Sequence, residues 1–235
     1  MQNVKGKLYL IPNFLGEGNK DFLPPYNLDI IHGLDEFIVE NEKPARAFLK
    51  AIESPIHQND FIFHFMDKHA DPQDFPSYLK ACDKGKDIGL ISDAGLPCVA
   101  DPGHQLVRIA HKKYIEVVPL VGFSSIMMAL MASGFNGQSF CFHGYLPHDD
   151  QLKKKKLKQA LSDLSRNETQ IFIETPYRNA SFIAELKQSF PSETKLCVAV
   201  DLTLESEQIN TMPLNEWSSK QDALHKRPAV FLLGL

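Results

Sequence analysis

Four acids stand where apolar runs end: Glu40 after Phe37-Ile38-Val39, Asp93 after Ile88-Gly89-Leu90-Ile91-Ser92, Glu174 after Ile171-Phe172-Ile173, and Asp201 after Val198-Ala199-Val200. Open α/β sheets place their ligands outside the carboxyl ends of the strands. Acids there can accept hydrogen bonds from hydroxyls and amines and attract positive charge, which suits a polar, polyhydroxyl or cationic ligand. Taken alone, each also suits a turn cap, and that reading holds best for Asp201. The stretch from Ile88 to Gly103 is the most informative: a short apolar strand breaks at Ser92 and passes through Asp93, Gly95, Pro97 and Asp101 before Pro102 and Gly103. Gly95 permits close approach of backbone to a ligand, and the two prolines limit the loop's freedom beforehand. Asp101 followed by Pro102 reads as an N-cap and first helical residue, opening a helix through Leu106, Val107, Ile109 and Ala110. An ordinary strand-to-helix turn has the same composition.

Other chemistries find less support. Neither G-x-G-x-x-G after a strand nor G-x-x-x-x-G-K occurs, so a nucleoside cofactor must be held in another way. Gly122-Phe123-Ser124-Ser125-Ile126 lacks the second glycine of a hydrolase nucleophile elbow, and its serines read as helix caps. His57, His64 and His69 match no metal-binding pair on a helix, which favours surface or core positions over a metal site. Cys82, Cys98, Cys141 and Cys197 are scattered beside apolar runs and read as small buried hydrophobes. Lys153 to Lys156 with Lys158 form the only dense basic run, either a solvated helix face or a phosphate contact.

These residues must be positioned by a chain of 235 residues, 43% hydrophobic and 23% charged, with a formal net charge of −4. That is enough for one large domain or two small ones. The charge argues against nucleic-acid binding over the whole surface but leaves room for a local basic patch. No segment has the apolar length of a membrane span and Met1 to Lys7 lacks a signal-peptide core, so a cytoplasmic protein is expected. Strands are predicted at Lys7–Ile11, Phe37–Glu40, Phe61–Phe65, Ile88–Ile91 and Ile115–Pro119. Helices fall between them, including one capped by Asn41 with Ala45, Phe48, Leu49 and Ile52 on one face, and one from Phe75 to Ala81. This alternation implies a largely parallel sheet covered by helices. Ile126 to Ser133 is predicted as a helix apolar nearly all round and therefore buried, stopped by Gly134. The second half repeats the alternation, with helices at Leu152–Leu164, Arg178–Phe190 and Leu214–Leu224 and strands at Phe140–His143, Gln170–Glu174, Lys195–Asp201 and Ala229–Leu233. Two successive α/β lobes result.

Taken together, the motifs resemble the tetrapyrrole methylase superfamily, the class III S-adenosylmethionine-dependent methyltransferases, and within it the ribosomal RNA small-subunit 2′-O-ribose methyltransferase branch. Ser92-Asp93-Ala94-Gly95-Leu96-Pro97 with Asp101-Pro102-Gly103 is similar to that branch's S-D-A-G-T-P and D-P-G. Val118-Pro119-Leu120-Val121-Gly122-Phe123-Ser124-Ser125, Ala132-Ser133-Gly134, Phe142-His143-Gly144-Tyr145-Leu146-Pro147 and Glu174-Thr175-Pro176-Tyr177-Arg178 follow in the branch's order. The first loop, Pro12-Asn13-Phe14-Leu15-Gly16-Glu17-Gly18, and Glu40-Asn41-Glu42-Lys43-Pro44-Ala45-Arg46 depart from its pattern, on the side expected to meet substrate.

The resemblance implies lobes at 1–118 and 119–235 with a cofactor cleft between them. S-adenosylmethionine would be held by Asp93, Ala94, Gly95 and Leu96 and by Ser124 and Ser125, with Pro228 and Ala229 closing on the adenosine, and no metal would be required. Glu40, Asp101 and Glu174 are the candidates for a general base. Lys153, Lys154, Lys155, Lys156 and Arg178 are the candidates for substrate contact, and a homodimer is expected. The acceptor is RNA, with a small molecule such as a tetrapyrrole-like compound, or cofactor and RNA binding without turnover, as alternatives.

Overall fold

The computed structural model of the protein describes residues 4–67, 70–218 and 224–235. The chain forms two compact units, divided in sequence between Ser124 and Ser125. In the first unit β1 (Leu8–Ile11), α1 (Pro25–Ile31), β2 (Glu36–Val39), α2 (Glu42–Ala51), β3 (Ile62–Phe65), α3 (Phe75–Tyr78), α4 (Lys80–Asp83), β4 (Ile88–Ile91), α5 (His104–Lys112) and β5 (Val117–Pro119) follow one another. The strands lie in the order β3-β2-β4-β1-β5, and every pair is parallel. All five carboxyl ends therefore share one edge.

Apart from Glu36 at the start of β2, the inner strands carry no charged residue, because helices cover both faces. Tyr9, Ile11, Phe37, Val39 and Ile91 pack with Ile31 of α1 and Ala45, Phe48 and Leu49 of α2. Leu8, Ile38, Ile88 and Leu90 point the other way, toward Leu79, Cys82, Leu106 and Ala110. Gly89 is required in β4 by this crowding, since a Cβ there would stand 2.5 Å from Ile11 Cδ1 and 2.7 Å from Phe37 Cδ1.

The second unit contains α6 (Ser125–Ser133), β6 (Phe140–Phe142), α7 (Asp150–Leu164), β7 (Thr169–Ile173), α8 (Asn179–Ser189), β8 (Lys195–Val200), β9 (Gln208–Pro213) and β10 (Ala229–Gly234). Its strand order is β6-β7-β10-β8-β9. Only β6 and β7 run parallel, and the other three pairings are antiparallel. One core joins Leu157, Ala160 and Leu164 of α7 and Phe182, Ile183 and Leu186 of α8 to Phe172, Val198 and Phe231 of the sheet. Trp217 completes it, with its indole N–H donating to the Leu196 carbonyl at 3.2 Å.

Several expectations need correction. The second half does not simply repeat the first. Strand β9 was not anticipated, and the short 201–207 connection from β8 turns the chain straight back, which makes that pair antiparallel. The helix expected over Leu214–Leu224 is a 3-10 turn at Leu214–Ser218, and residues 219–223 lie outside the described residues, as does His69. Phe75–Ala81 divides into α3 and α4 at Leu79. Asp101 does not cap α5, which starts at His104. Its carboxylate instead takes the Gly103 N–H at 2.7 Å and closes a turn one step earlier. Helix α6 is not buried all round, because Met127 and Met131 are 39% and 83% exposed.

Candidate functional site

The shared edge of the first unit's sheet gathers the loops after β1, β2 and β4. Asn13, just past β1, holds the central loop in place. Its N–H donates to the Gly95 carbonyl at 2.9 Å and its carbonyl accepts the Gly95 N–H at 3.1 Å. Its side-chain amide also donates to the carbonyls of Ser92 (2.9 Å) and Asp93 (3.2 Å). Asn41, past β2, reaches the same loop from the other side and donates from backbone (3.3 Å) and side chain (2.5 Å) to the Asp93 carboxylate. Within the loop, the Ser92 hydroxyl lies 3.0 Å from the Ala94 carbonyl and 3.3 Å from Asp101 Oδ2.

The same loop holds left-handed backbone at three positions. Gly95, Cys98 and Ala100 have φ of +68°, +68° and +57°. That region is unfavourable for residues with a Cβ and persists where surrounding structure enforces it. A Cβ on Gly95 would stand 3.1 Å from Leu15 Cδ2 and 3.5 Å from the Phe123 carbonyl oxygen. Having no side chain, Gly95 lets its backbone pack directly beside Leu15 and Phe123 while its amide and carbonyl bond Asn13.

Carboxylates crowd the same edge. Burial, and then the negative charges of Asp93, Asp101 and Asp67, raise the Glu40 carboxyl above the usual range. Burial and Asp101 push the Cys98 thiol up to about 11, which makes it a poor nucleophile at neutral pH. Beside the loop lies a cavity of about 370 Å3, walled by the first loop from Asn13 to Gly18, the Pro44–Ala51 face of α2, Asp93 and Ala94.

In the second unit the antiparallel insertion of β10 brings its beginning to the ends of β7 and β8, with Ala229 opposite Val200 and Val230 opposite Ile173. Pro228 and Ala229 thus share an edge with Glu174 and Asp201. Asp201 belongs to the fold there: its N–H donates to the Pro228 carbonyl at 3.0 Å, and its carboxylate receives Arg227 at 2.7 Å and the Ser206 hydroxyl at 2.8 Å. Glu174 is 6% exposed and accepts the Thr175 N–H at 2.7 Å, with Arg178 at 3.3 Å.

The lysine run divides by helical phase. Lys153 pairs with Glu185 (2.9 Å) and Asp150 (3.2 Å), and Lys156 donates to the His143 carbonyl at 2.7 Å. Lys154, Lys155 and Lys158 are exposed. Asn13 and Asn41 were missed as positioning residues. The available signal was an asparagine next to a strand end, a residue whose side chain readily bonds nearby backbone.

A family model described as Tetrapyrrole (Corrin/Porphyrin) Methylases matches residues 15–217. The ribosomal RNA small subunit methyltransferase I of Vibrio cholerae serotype O1 is 31% identical over 229 residues, covering 96% of this chain and 76% of the relative. Among solved structures, the methyltransferase CobJ matches with a TM-score of 0.67 at 16% identity, over 97% of this chain and 94% of that one. The uroporphyrin-III C-methyltransferase of Thermus thermophilus complexed with S-adenosylhomocysteine matches with a TM-score of 0.62 at 15% identity, over 97% of each chain. Among the described residues no helix is long and apolar enough to cross a membrane.

Proposed function

The chain belongs to the tetrapyrrole methylase family and is a methyltransferase, and from this premise we propose that it methylates a ribose 2′-hydroxyl of small-subunit ribosomal RNA, with S-adenosylmethionine as donor. The observation that carries the reading is the extent of the likeness to a ribosomal RNA methyltransferase, which runs through both units rather than one. The reading extends to a cytoplasmic homodimer, to which the exposed methionines of α6 lend an apolar face.

The first unit's edge fits the donor, because Gly95 leaves a cradle that a side chain would fill. S-adenosylmethionine supplies the methyl group on a sulfonium, and the protein's task is alignment and exclusion of water. Asp93 to Leu96, with Ser124, hold the donor through a loop already pinned by Asn13, Asn41 and Asp101, so little ordering remains to oppose binding. Glu40 takes the proton of the attacking hydroxyl. Of the three candidate acids, Asp101 is engaged by Gly103 and Ser92, and Glu174 by Thr175 and Arg178. Glu40 instead has its proton affinity raised by burial and by the neighbouring carboxylates, the direction that favours a general base.

The test is incubation of the protein with labelled donor and either small ribosomal subunits or a metabolite extract. Label in the RNA is expected, and label only in a small molecule would overturn the reading. The exposed lysines give a second check. Replacing Lys154, Lys155 and Lys158 with glutamine is expected to flatten the salt dependence of RNA binding by about 0.7 to 0.9 log units per lost phosphate contact. Lys153→Gln should change the slope little, since its ammonium is already committed to Glu185 and Asp150. An unchanged slope in the triple variant would return these lysines to a solvated face.

A further inference from the structure

The second unit contains a cavity of about 340 Å3 lined by Tyr145, Leu146, His148, Glu174, Thr175 and Arg178. Two loops build it, one after β6 and one after β7, carried to the same edge by the parallel pairing of those strands. At its wall lies the Glu174 carboxylate, with only 3% of the side chain exposed. The Thr175 N–H (2.7 Å), the Thr175 hydroxyl (3.4 Å) and Arg178 (3.3 Å) approach it. A carboxylate has about four acceptor positions, so one remains for a donor entering the cavity.

Around this polar wall the surface is unexpectedly aromatic. Tyr145 is 55% exposed and Tyr177, between Thr175 and Arg178 in the second loop, is 71% exposed. The Tyr177 ring meets His225 edge-on at 6.2 Å and has Lys226 Nζ 5.8 Å from its centre. Lys226 is fixed nearby by its N–H, which donates to the Pro176 carbonyl at 3.1 Å. The Glu174–Arg178 pair by itself accounts for a folded loop but not for two large rings left in water, one of them beside Lys226. Exposed rings next to guanidinium and ammonium groups are what unpaired nucleotides use, with bases stacking on the rings and phosphates meeting the cations. The volume is at the small end of ligand pockets, which run from about 300 to 1,000 Å3, and suits a single nucleotide.

We propose that this cavity receives one unpaired nucleotide of the RNA substrate whose base carries an amino group. The base stacks on Tyr145, its amino group donates to Glu174, and Arg178 and Lys226 meet the flanking phosphates, with Tyr177 as platform for the neighbouring base. The proposal rests on the RNA reading above.

The experiment measures anisotropy of labelled single-stranded cytidine and uridine hexamers on the intact protein, with S-adenosylhomocysteine titrations and melting curves alongside. Wild-type protein is expected to favour the cytidine hexamer. Tyr145→Ala and Tyr177→Ala, both at exposed positions, should each weaken RNA binding by about fivefold to a hundredfold. Tyr145→Phe should bind as wild type, and Glu174→Gln, whose amide both donates and accepts, should lose the base preference. S-adenosylhomocysteine affinity should be the same in all of them. Unchanged RNA affinity in folded Tyr145→Ala would overturn the pocket, and so would a loss of S-adenosylhomocysteine affinity there, which would assign the cavity to the cofactor. Labelled transfer separates the two levels. If wild-type protein labels small-subunit RNA while Tyr145→Ala binds RNA unchanged, only the pocket fails; if it labels no RNA, the RNA reading fails and the pocket with it.

Discussion

Glu40→Gln is expected to lower kcat for methyl transfer by about 10²- to 10⁴-fold, the usual contribution of a positioned general base, while raising the melting temperature at neutral pH. The two effects have one origin. Burial, and next the charges of Asp93, Asp101 and Asp67, hold the Glu40 carboxyl's folded-state pKa above its unfolded value. For an acid shifted upward, the stabilising contribution is complete below the unfolded pKa and is lost as pH rises through the folded one. At neutral pH the ionised Glu40 therefore weighs against the fold, and glutamine removes that burden. Melting curves should show the variant ahead of wild type at pH 7 and level with it below about pH 4, where the carboxyl is protonated in both states. The pH profile of kcat/KM should lose the rising limb that belongs to Glu40. An unchanged kcat would place the base elsewhere, and equal melting temperatures at pH 7 would deny the strain.

Gly95→Val is expected to remove S-adenosylhomocysteine binding from the range of calorimetry. Its side chain would fill the space beside Leu15 and Phe123, and its β-branched backbone would resist a φ of +68°. That strain costs about 1 to 3 kcal/mol, so a lower melting temperature should accompany the loss. Gly95→Asn separates the causes, because asparagine tolerates left-handed backbone yet still puts atoms in the cradle. The asparagine variant should melt close to wild type and bind no better than valine. Full affinity in a folded Gly95→Asn would show that the cofactor does not use this loop.

Much of the fold can be read from local chemistry. Parallel strands covered on both faces are continuous apolar runs, and Ile88–Ile91 stops where polar loop residues begin, so strand ends and the acids beyond them are visible in one dimension. The apolar face of α2 is equally local, since Ala45, Phe48 and Leu49 recur at helical spacing. The order of five short motifs pointed to the family, although most of them lie in loops.

Partner choice belongs to the tertiary structure. Asn13 and Ser92 are 79 positions apart, and nothing near either residue in sequence indicates that one side-chain amide will bond the other's carbonyl. That contact depends on β1 and β4 being neighbours in register, with Ile11 beside Ile91. The position of β10 between β7 and β8 is another such result, and it decides that Pro228 and Ala229 stand beside Asp201 and Glu174. The lysines make the same point within one helix. Their number and phase are fixed by composition and the turn of α7, but only the packing of α8 against it engages Lys153 with Glu185 and leaves Lys154 and Lys155 exposed. Hydrophobic pattern is a property of neighbours along the chain, whereas a hydrogen bond requires two groups within about 3 Å, a condition set by the pairing of elements distant in sequence.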